Sequence, residues 1–594
     1  MRLSEKEMGK MVFIAIIMGF SVVPTVSAHE PGEVIWDYYY GGDGYECAQD
    51  VLWLKSGGIP GEGTFVMVGT TGPSSGEWQL FIGKFKAENF GGPWGIWPLW
   101  ERTYGGGGDD YAYSVELTSD SAFIVTGYKN GDVWLLKIDA SSGDTLWTRT
   151  YGGAGFDGAE CVRQTSDGGY IIVGYTSSYG SGSFDVYLIK TDSTGNMVWQ
   201  KWWGGPNEEY AYEVRETQDG GYIIAATTHS FGQGRCDAWL IKTDANGDTL
   251  WTKIYGVGNW DRVRSVELTP DGGYIFAGWT GESPREWDGW VIKTDSNGDI
   301  LWMRTYGGQD GGCLTSVRST WDGGYIMCGS SGYIYQDIWL IKTDANGDTL
   351  WTRTYGSANT DRGYSAQQTF DGGYIAVGQG DKWLHGFQMA VYRVAGAQTP
   401  YVKVLSPNGG EEFEVGDTCN ITWFAAGNGG IDSVSILYSI DAGLSWDTIA
   451  TGEPNDSLYE WIIPSTPSES CLVKILAYDP GLNMGEDESD SLFRIRTSGV
   501  GGSAPVIRPF LTVSPNPFSE HMEIAFSPGD AGEVSLRIYD ATGRLVKEFI
   551  PPTASTAITW DGRDESGRKV GCGVYFLRFE AEDHRTTKKI LLVR

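Results

Sequence analysis

Carboxylates and aromatic rings are the groups in this sequence whose types and spacing lend themselves to chemistry. An acidic residue follows an aromatic-glycine turn at Asp43, Asp110, Asp157, Glu209, Asp261, Asp310 and Asp361. Carboxylates repeated in this way either accept backbone N–H bonds and pin their own loops, or ring a site for a cation or cationic ligand. Between them run segments of variable length that carry aromatics at changing places: Trp78, Tyr179 and Phe184, Phe231, Trp279 and Trp287, Tyr333 and Tyr335, and Trp383 beside His385. Rigid rings beside carboxylates suit sugars or peptide side chains, because they offer contact area at low entropic cost. Tyr179, Trp279, Trp287 and Trp383, with Asp157 and Asp261 nearby, are therefore the expected ligand contacts.

Other chemistry is short of material. The five histidines stand at 29, 229, 385, 521 and 584, and neither an HExxH pair nor a P-loop is present, so no catalytic residue and no metal ligand set is assigned. Asp plus Glu number 76 against 44 Lys plus Arg, a formal charge of −32. Such a chain repels phosphate backbones, which argues against nucleic acid as a partner. The DANGD and DSNGD turns at Asp244/Asn246/Asp248, Asp295/Asn297/Asp299 and Asp344/Asn346/Asp348 space oxygen side chains as a calcium loop does. Their glycine stands two places early and the closing bidentate Glu is missing, so hairpin turns are expected, calcium is disfavoured and no cofactor is anticipated.

The elements that must hold these groups come from an internal repeat of about fifty residues. A Trp in a short strand recurs at Trp36, Trp100, Trp147, Trp199, Trp251, Trp302 and Trp351, and DGGY turns recur with Tyr170, Tyr222, Tyr274, Tyr325 and Tyr374. Each copy reads as four aromatic and β-branched strands, joined by short Gly- and Asn-Gly-containing connections that close hairpins. Four-stranded units repeated in this way bury their faces against one another, and radial stacking leaves few exposed edges. The reading is all-β: a seven-bladed β-propeller over residues 34–396, followed by two Ig-like β-sandwich domains. The last copy lacks its Trp strand while the chain begins with an orphan one, VIWDYYY at Val34–Tyr40, so the N-terminal strand is expected to complete the last blade.

Several segments resemble known families. KTDANGDTLW, ending at Trp251 and again at Trp351, resembles the docking motif of quinoprotein-type propellers. The resemblance implies a blade-to-blade packing role for Trp147, Trp199, Trp251, Trp302 and Trp351, with no quinone. Residues 401–497 resemble the Ig-like or fibronectin-III-like spacer modules of bacterial surface proteins, and within them Ser439 to Trp446 matches the sialidase Asp-box string, expected here as a structural turn. Cys419 and Cys471 are the one cysteine pair placed on plausible strands of a small domain, and the sequence leaves their bridging open. Residues 498–509 read as a linker. Residues 510–594 resemble the type A C-terminal sorting domain of type IX secretion, through Ser514-Pro515-Asn516-Pro517, Leu536 to Asp540 with Gly543, Gly573-Val574-Tyr575 and Lys588-Lys589-Ile590. The stretch from Trp560-Asp561-Gly562 to Tyr575 equally resembles the Ig-like domain of the flagellar hook-capping protein.

At the other end, basic residues, an apolar run from Met11 to Val23 and Val26-Ser27-Ala28 form a signal peptide over residues 1–28. No later run is long and apolar enough for a membrane helix. These resemblances imply passage to the cell surface or medium, with the secretion machinery as a partner through residues 510–594. The expected protein is a monomeric, non-enzymatic binding protein for an extracellular glycan or protein. The alternative is a secreted polysaccharide hydrolase or lyase, which the regularity of the acids disfavours because a catalytic site breaks symmetry with a few unmatched polar groups.

Overall fold

The computed structural model describes residues 31–592 apart from 42–43, 57–61, 74–76, 90–93, 284–285, 308–310, 333–335, 358, 370, 383–385, 397–398, 428–429, 480–482, 498–509 and several short stretches between 515 and 583. The expected signal peptide and linker, and Asp43, Asp310, Tyr333, Tyr335, Trp383 and His385, lie outside the described residues. Every regular element among the described residues is a β-strand.

The repeat appears as antiparallel four-stranded sheets in sequential order over residues 110–151, 157–203, 209–255, 260–306 and 312–355. In the 209–255 sheet, Tyr222–Thr228 and Asp237–Thr243 are buried along their whole length, whereas the last strand, Thr249–Tyr255, alternates outward, as its neighbour-facing and solvent-facing residues require. The first hairpin turns at Gly220, whose φ of +78° a Cβ would strain. Asp219 fixes this turn by accepting from the Gly221 amide at 3.1 Å, while it pairs with Lys242 at 2.9 Å. The same Asp–Lys pair recurs as Asp120–Lys137, Asp167–Lys190, Asp271–Lys293 and Asp322–Lys342, and as Asp371–Arg393 in the last copy.

A further sheet joins the two ends of the repeat. Val34–Tyr40 pairs antiparallel with Gly386–Val394, with Trp36 opposite Arg393 and Tyr40 opposite Met389. One parallel bridge, Tyr45 to Phe387, links this end to the first unit, which spans residues 45–104. Apolar cores lie between consecutive sheets: Ile124 and Leu135 pack with Val162 and Ile172, Val173 and Leu188 with Val214 and Ile224, and so on around the series. The cluster of Trp36, Ile375 and Val391 with Ala48, Phe65 and Phe85 joins the last unit to the first. Each sheet's first strand adjoins the next sheet's first strand, and Arg362–Gln368 adjoins Tyr45–Ser56.

Neighbouring units are also locked at glycine turns. The Trp251 ring stands where a side chain on Gly298 of the next unit would be, and the Tyr255 hydroxyl donates to the Gly298 carbonyl at 2.7 Å. Trp147 and Tyr151 hold Gly195, Trp302 and Tyr306 hold Gly347, and Trp351 and Tyr355 hold Gly32, just ahead of the first strand. Trp199 covers Gly247 in the same way. The turn carboxylates bind backbone: Asp244 accepts from the amides of Asn246 at 2.9 Å and Asp248 at 2.8 Å.

Two smaller cores follow. Residues 401–496 form two sheets around Trp423, Trp461, Ile475 and Phe493, with Cys419 and Cys471 buried in that core as free thiols. The Asp-box segment is a turn in which Asp441 accepts from the Ser445 amide at 2.9 Å and hydroxyl at 2.6 Å. Residues 510–592 carry two sheets around Ile524, Leu536, Trp560, Leu577 and Ile590.

Candidate functional site

The first strands of the repeat share a β-bulge that sets their register: it falls after Ala112, Ala159, Ala211, Val263, Leu314, Gly363 and Ala48. Counting back from that point places Asp110, Asp157, Glu209, Asp261 and Asp361 in equivalent positions. Glu46 and Gly312 occupy the remaining two, so the register gives these places to neither Asp43 nor Asp310. All five of those acids are fully buried. Asp157 accepts from the Gly153 amide at 2.8 Å, from the Ser178 hydroxyl at 2.6 Å and from the Thr176 hydroxyl. Asp261 accepts from the amides of Val257 at 3.1 Å and Gly258 at 2.9 Å and from the Thr280 hydroxyl. Their oxygens are turned onto their own loops. A second set of carboxylates lies behind them, and burial, with a lesser push from Glu209 and Asp261 respectively, raises Asp185 and Asp237 to about 6.

Alternation along the same strands turns the residues either side of that Ala, Val, Leu or Gly to one side. There the copies differ: Tyr111 and Tyr113, Gly158 and Glu160, Tyr210 and Tyr212, Arg262 and Arg264, Cys313 and Thr315, Arg362 and Tyr364. Five of these groups share one axial space, since Tyr212, Glu160, Cys313 and Tyr364, each from a different unit, all act electrostatically on Arg264. Burial raises the Glu160 carboxyl, against the pull of Arg264, and raises the hydroxyls of Tyr113 and Tyr212, keeping both phenols protonated. Further along the axis an ion network closes the space: Glu213 pairs with Arg163 and Arg215 at 2.8 Å and with Arg318 at 3.1 Å, and these arginines hold its carboxyl far below the usual range despite its burial.

Around the end of the axis opposite this network runs an arc of rings. Tyr45 stacks on Trp78 at 4.6 Å, Trp78 meets Tyr111 at 5.3 Å, Tyr111 meets Tyr128 at 5.2 Å and Tyr128 meets Phe156 at 5.0 Å. Phe156 faces Tyr175 at 6.4 Å, which reaches Tyr210 at 5.3 Å. The next unit brings Trp279 and Trp287 together at 5.8 Å. The Arg264 guanidinium lies 4.0 Å from the Tyr212 ring and 5.4 Å from Trp279, and Arg262 lies 5.6 Å from Trp260 and 5.9 Å from Trp279.

Of the residues selected from the sequence, Trp279 and Trp287 are brought together at this end. Tyr179 stands apart: its ring stacks on Trp202 at 5.1 Å, its hydroxyl donates to the Gly152 carbonyl at 3.0 Å, and it adjoins an open depression of about 420 Å³ lined by Trp202, Phe231 and Trp239. Asp157 and Asp261 are beneath the surface, and Trp383 lies outside the described residues. Sequence reasoning missed Glu160, Arg262 and Arg264. Their signal was the contrast between the residues that flank that Ala, Val, Leu or Gly, which differ from copy to copy, and that small or aliphatic residue itself.

Residues 514–584 match the FlgD Ig-like domain family. No curated protein is similar to the chain. Among solved structures, PorZ, an essential bacterial surface component of the type-IX secretion system of Porphyromonas gingivalis, is similar over 89% of this chain and 68% of its own, at 13% identity and a TM-score of 0.32. The Dos1 propeller is similar over 61% of this chain and 94% of its own, at 12% identity and a TM-score of 0.37. A mutant of Synechocystis apocarotenoid oxygenase covers 62% of this chain and 95% of its own, at 12% identity and a TM-score of 0.33. At these values the likenesses assign no activity or partner. The expectation of a cofactor-free chain is corrected by the last of them: carotenoid oxygenases bind iron, so this set of similar structures does not support absence of a cofactor. The likeness is too distant to carry iron to this chain, and among the described residues no group of three or more His, Cys, Asp or Glu is placed to hold a metal ion. No helix among the described residues is long and apolar enough to cross a membrane.

Proposed function

We propose that residues 34–396 form a seven-bladed β-propeller closed by the N-terminal strand, and that its irregular face binds an extracellular ligand without chemical conversion. In this reading residues 401–497 are an Ig-like spacer, and residues 510–594 are an Ig-like C-terminal domain that engages type IX secretion, so that the protein, exported by its signal peptide, works at the cell surface or in the medium as a monomer. The pairing of Val34–Tyr40 with Gly386–Val394 and the core shared by the last and first units support the closed ring.

The observation that carries the functional reading is the difference between the two ends of the axis. At one end the Asp-Gly-Gly hairpins repeat with the same Asp–Lys pairing in copy after copy, a pairing that Asp120 keeps in a Ser-Asp-Ser turn. At the other, aromatic rings, Arg262, Arg264 and Glu160 break the repeat, and discrimination between ligands requires such difference. The opposing reading, a glycan hydrolase or lyase, draws on the raised Glu160 carboxyl, which suits a general acid. Against it, the neighbouring Tyr113 and Tyr212 are pushed toward the neutral phenol, the wrong direction for a base. Purified protein applied to a glycan array, alongside assays for reducing ends and for unsaturated products at 235 nm, tests the choice. Capture without new reducing ends or absorbance is expected, and product formation abolished by Glu160→Gln would replace the binding reading with the enzymatic one.

A further inference from the structure

The 260–306 unit concentrates hydrogen-bond donors that have nothing to donate to. Trp279 Nε1, Trp287 Nε1, Arg262 Nε and Arg264 Nε are each buried without a hydrogen-bond partner among the described residues. Trp279 is only 7% exposed, the two indoles lie 5.8 Å apart, and both guanidiniums lie within 6 Å of the Trp279 ring. A buried donor left unpaired costs about 1–3 kcal/mol, so four in one place call for an acceptor-rich occupant. Arg264 has no ion pair among the described residues, unlike Arg163, Arg215 and Arg318 further along the axis, which converge on Glu213. Glu160 is the carboxylate that acts on Arg264 in the axial space, and burial pushes it toward its neutral form, so in a chain with a formal charge of −32 the Arg264 fork, free of any close ion pair among the described residues, marks a position for an anion.

The rest of the ligand is indicated by the arc. Seven rings follow one another over the first four units, Tyr45, Trp78, Tyr111, Tyr128, Phe156, Tyr175 and Tyr210, with neighbouring centroids 4.6–6.4 Å apart. A continuous run of rings, Phe156 exposed and the others half-buried, fits a polymer of sugar rings, and the donor cluster fits a carboxylate on one of them. We infer that the irregular end of the axis is a site for an acidic glycan, with a uronate carboxylate received by Arg264 and the Trp279 and Trp287 indole N–H groups and neighbouring sugars lying along the aromatic arc. The inference rests on the proposed choice of working face and adds the chemical class of the ligand.

Calorimetric titration of the full-length protein with trigalacturonate, its methyl ester, galactotriose and hexaglutamate tests it. Trigalacturonate is expected to bind roughly tenfold or more tightly than galactotriose or the ester, with an affinity that falls as ionic strength rises. Arg264→Gln removes that preference, and Arg264→Lys, which keeps the charge but not the fork, restores part of it. Glu160→Gln removes a competing carboxylate and strengthens trigalacturonate binding several-fold, a gain that misfolding cannot imitate. Equal binding of trigalacturonate and galactotriose, unchanged by Arg264→Gln, overturns the acidic-ligand inference while leaving a glycan-binding face. Tight binding of hexaglutamate without trigalacturonate, or no binding of trigalacturonate at all, overturns it also.

Discussion

Asp157 and Asp261 are buried and turned onto their own loops, the first of the two arrangements that their spacing allows. The same feature that made them visible, recurrence once per copy, is what loop pinning requires of a structural carboxylate, since each copy has the same backbone amides to satisfy. Asp261→Ala removes the acceptor for two amides and the Thr280 hydroxyl, and is expected to lower stability by about 2–4 kcal/mol in chemical denaturation. Arg262 and Arg264 were hidden for the converse reason: the pair occurs in one copy alone, so no repetition marks it, and the register of their strand is what turns both toward the axis. Trp287, half-buried, is the cleaner probe of the mouth than Trp279, whose burial ties it to packing.

Titration at this scale has a definite sign. Asp185 and Asp237 are raised to about 6, so the folded state holds their protons more tightly than the unfolded chain, whose carboxyls titrate near 4. Their contribution is present below the unfolded value and is lost as pH rises through 6. Asp167, Asp219 and Asp322 go the other way: burial opposes it, but hydrogen bonds from the neighbouring Thr and Lys hold each below its ordinary range, so their contribution is lost as pH falls below about 4. Melting temperature is expected to rise from pH 7.5 to pH 5 and to fall below pH 4. In Asp185→Asn combined with Asp237→Asn, the rise between 7.5 and 5 should disappear, and its persistence would show that other groups carry it.

Among elements, the strands and hairpins were legible because each copy carries its own β-branched and aromatic run and its own glycine turn, so local preference and long-range packing agree. The Trp–Gly lock was half legible: the motif named the tryptophans, but not that each covers the following unit's turn, nor that a Tyr hydroxyl shares the same glycine. Tyr255→Phe removes the bond to the Gly298 carbonyl and should cost about 1 kcal/mol, whereas Trp251→Ala should cost about 3 kcal/mol by opening the same junction. Deleting Val34–Tyr40 leaves Gly386–Val394 paired with Tyr374–Lys382 alone along most of its length, exposing its other edge, and removes Trp36 from the core between the last and first units. A strong drop in melting temperature is expected, and an unchanged one would sink the closed-ring account.

On the scale of the whole molecule, export and display belong to segments remote from the repeat. A chain truncated before residue 510 is expected to leave the cytoplasm and stop in the periplasm, detected by fractionation and surface proteolysis. Equal arrival of truncated and full-length protein at the surface would remove the sorting role. The central claim is that ligand recognition resides at the irregular end of the axis. Its most direct measurement is the affinity of the full-length protein for a captured glycan, compared between Trp287→Ala and a variant altered at the exposed turns Asn246 and Asn346. The account predicts that Trp287→Ala weakens binding roughly tenfold or more while the turn variant binds as the parent does. Binding that survives Trp287→Ala but is lost in the turn variant would contradict it.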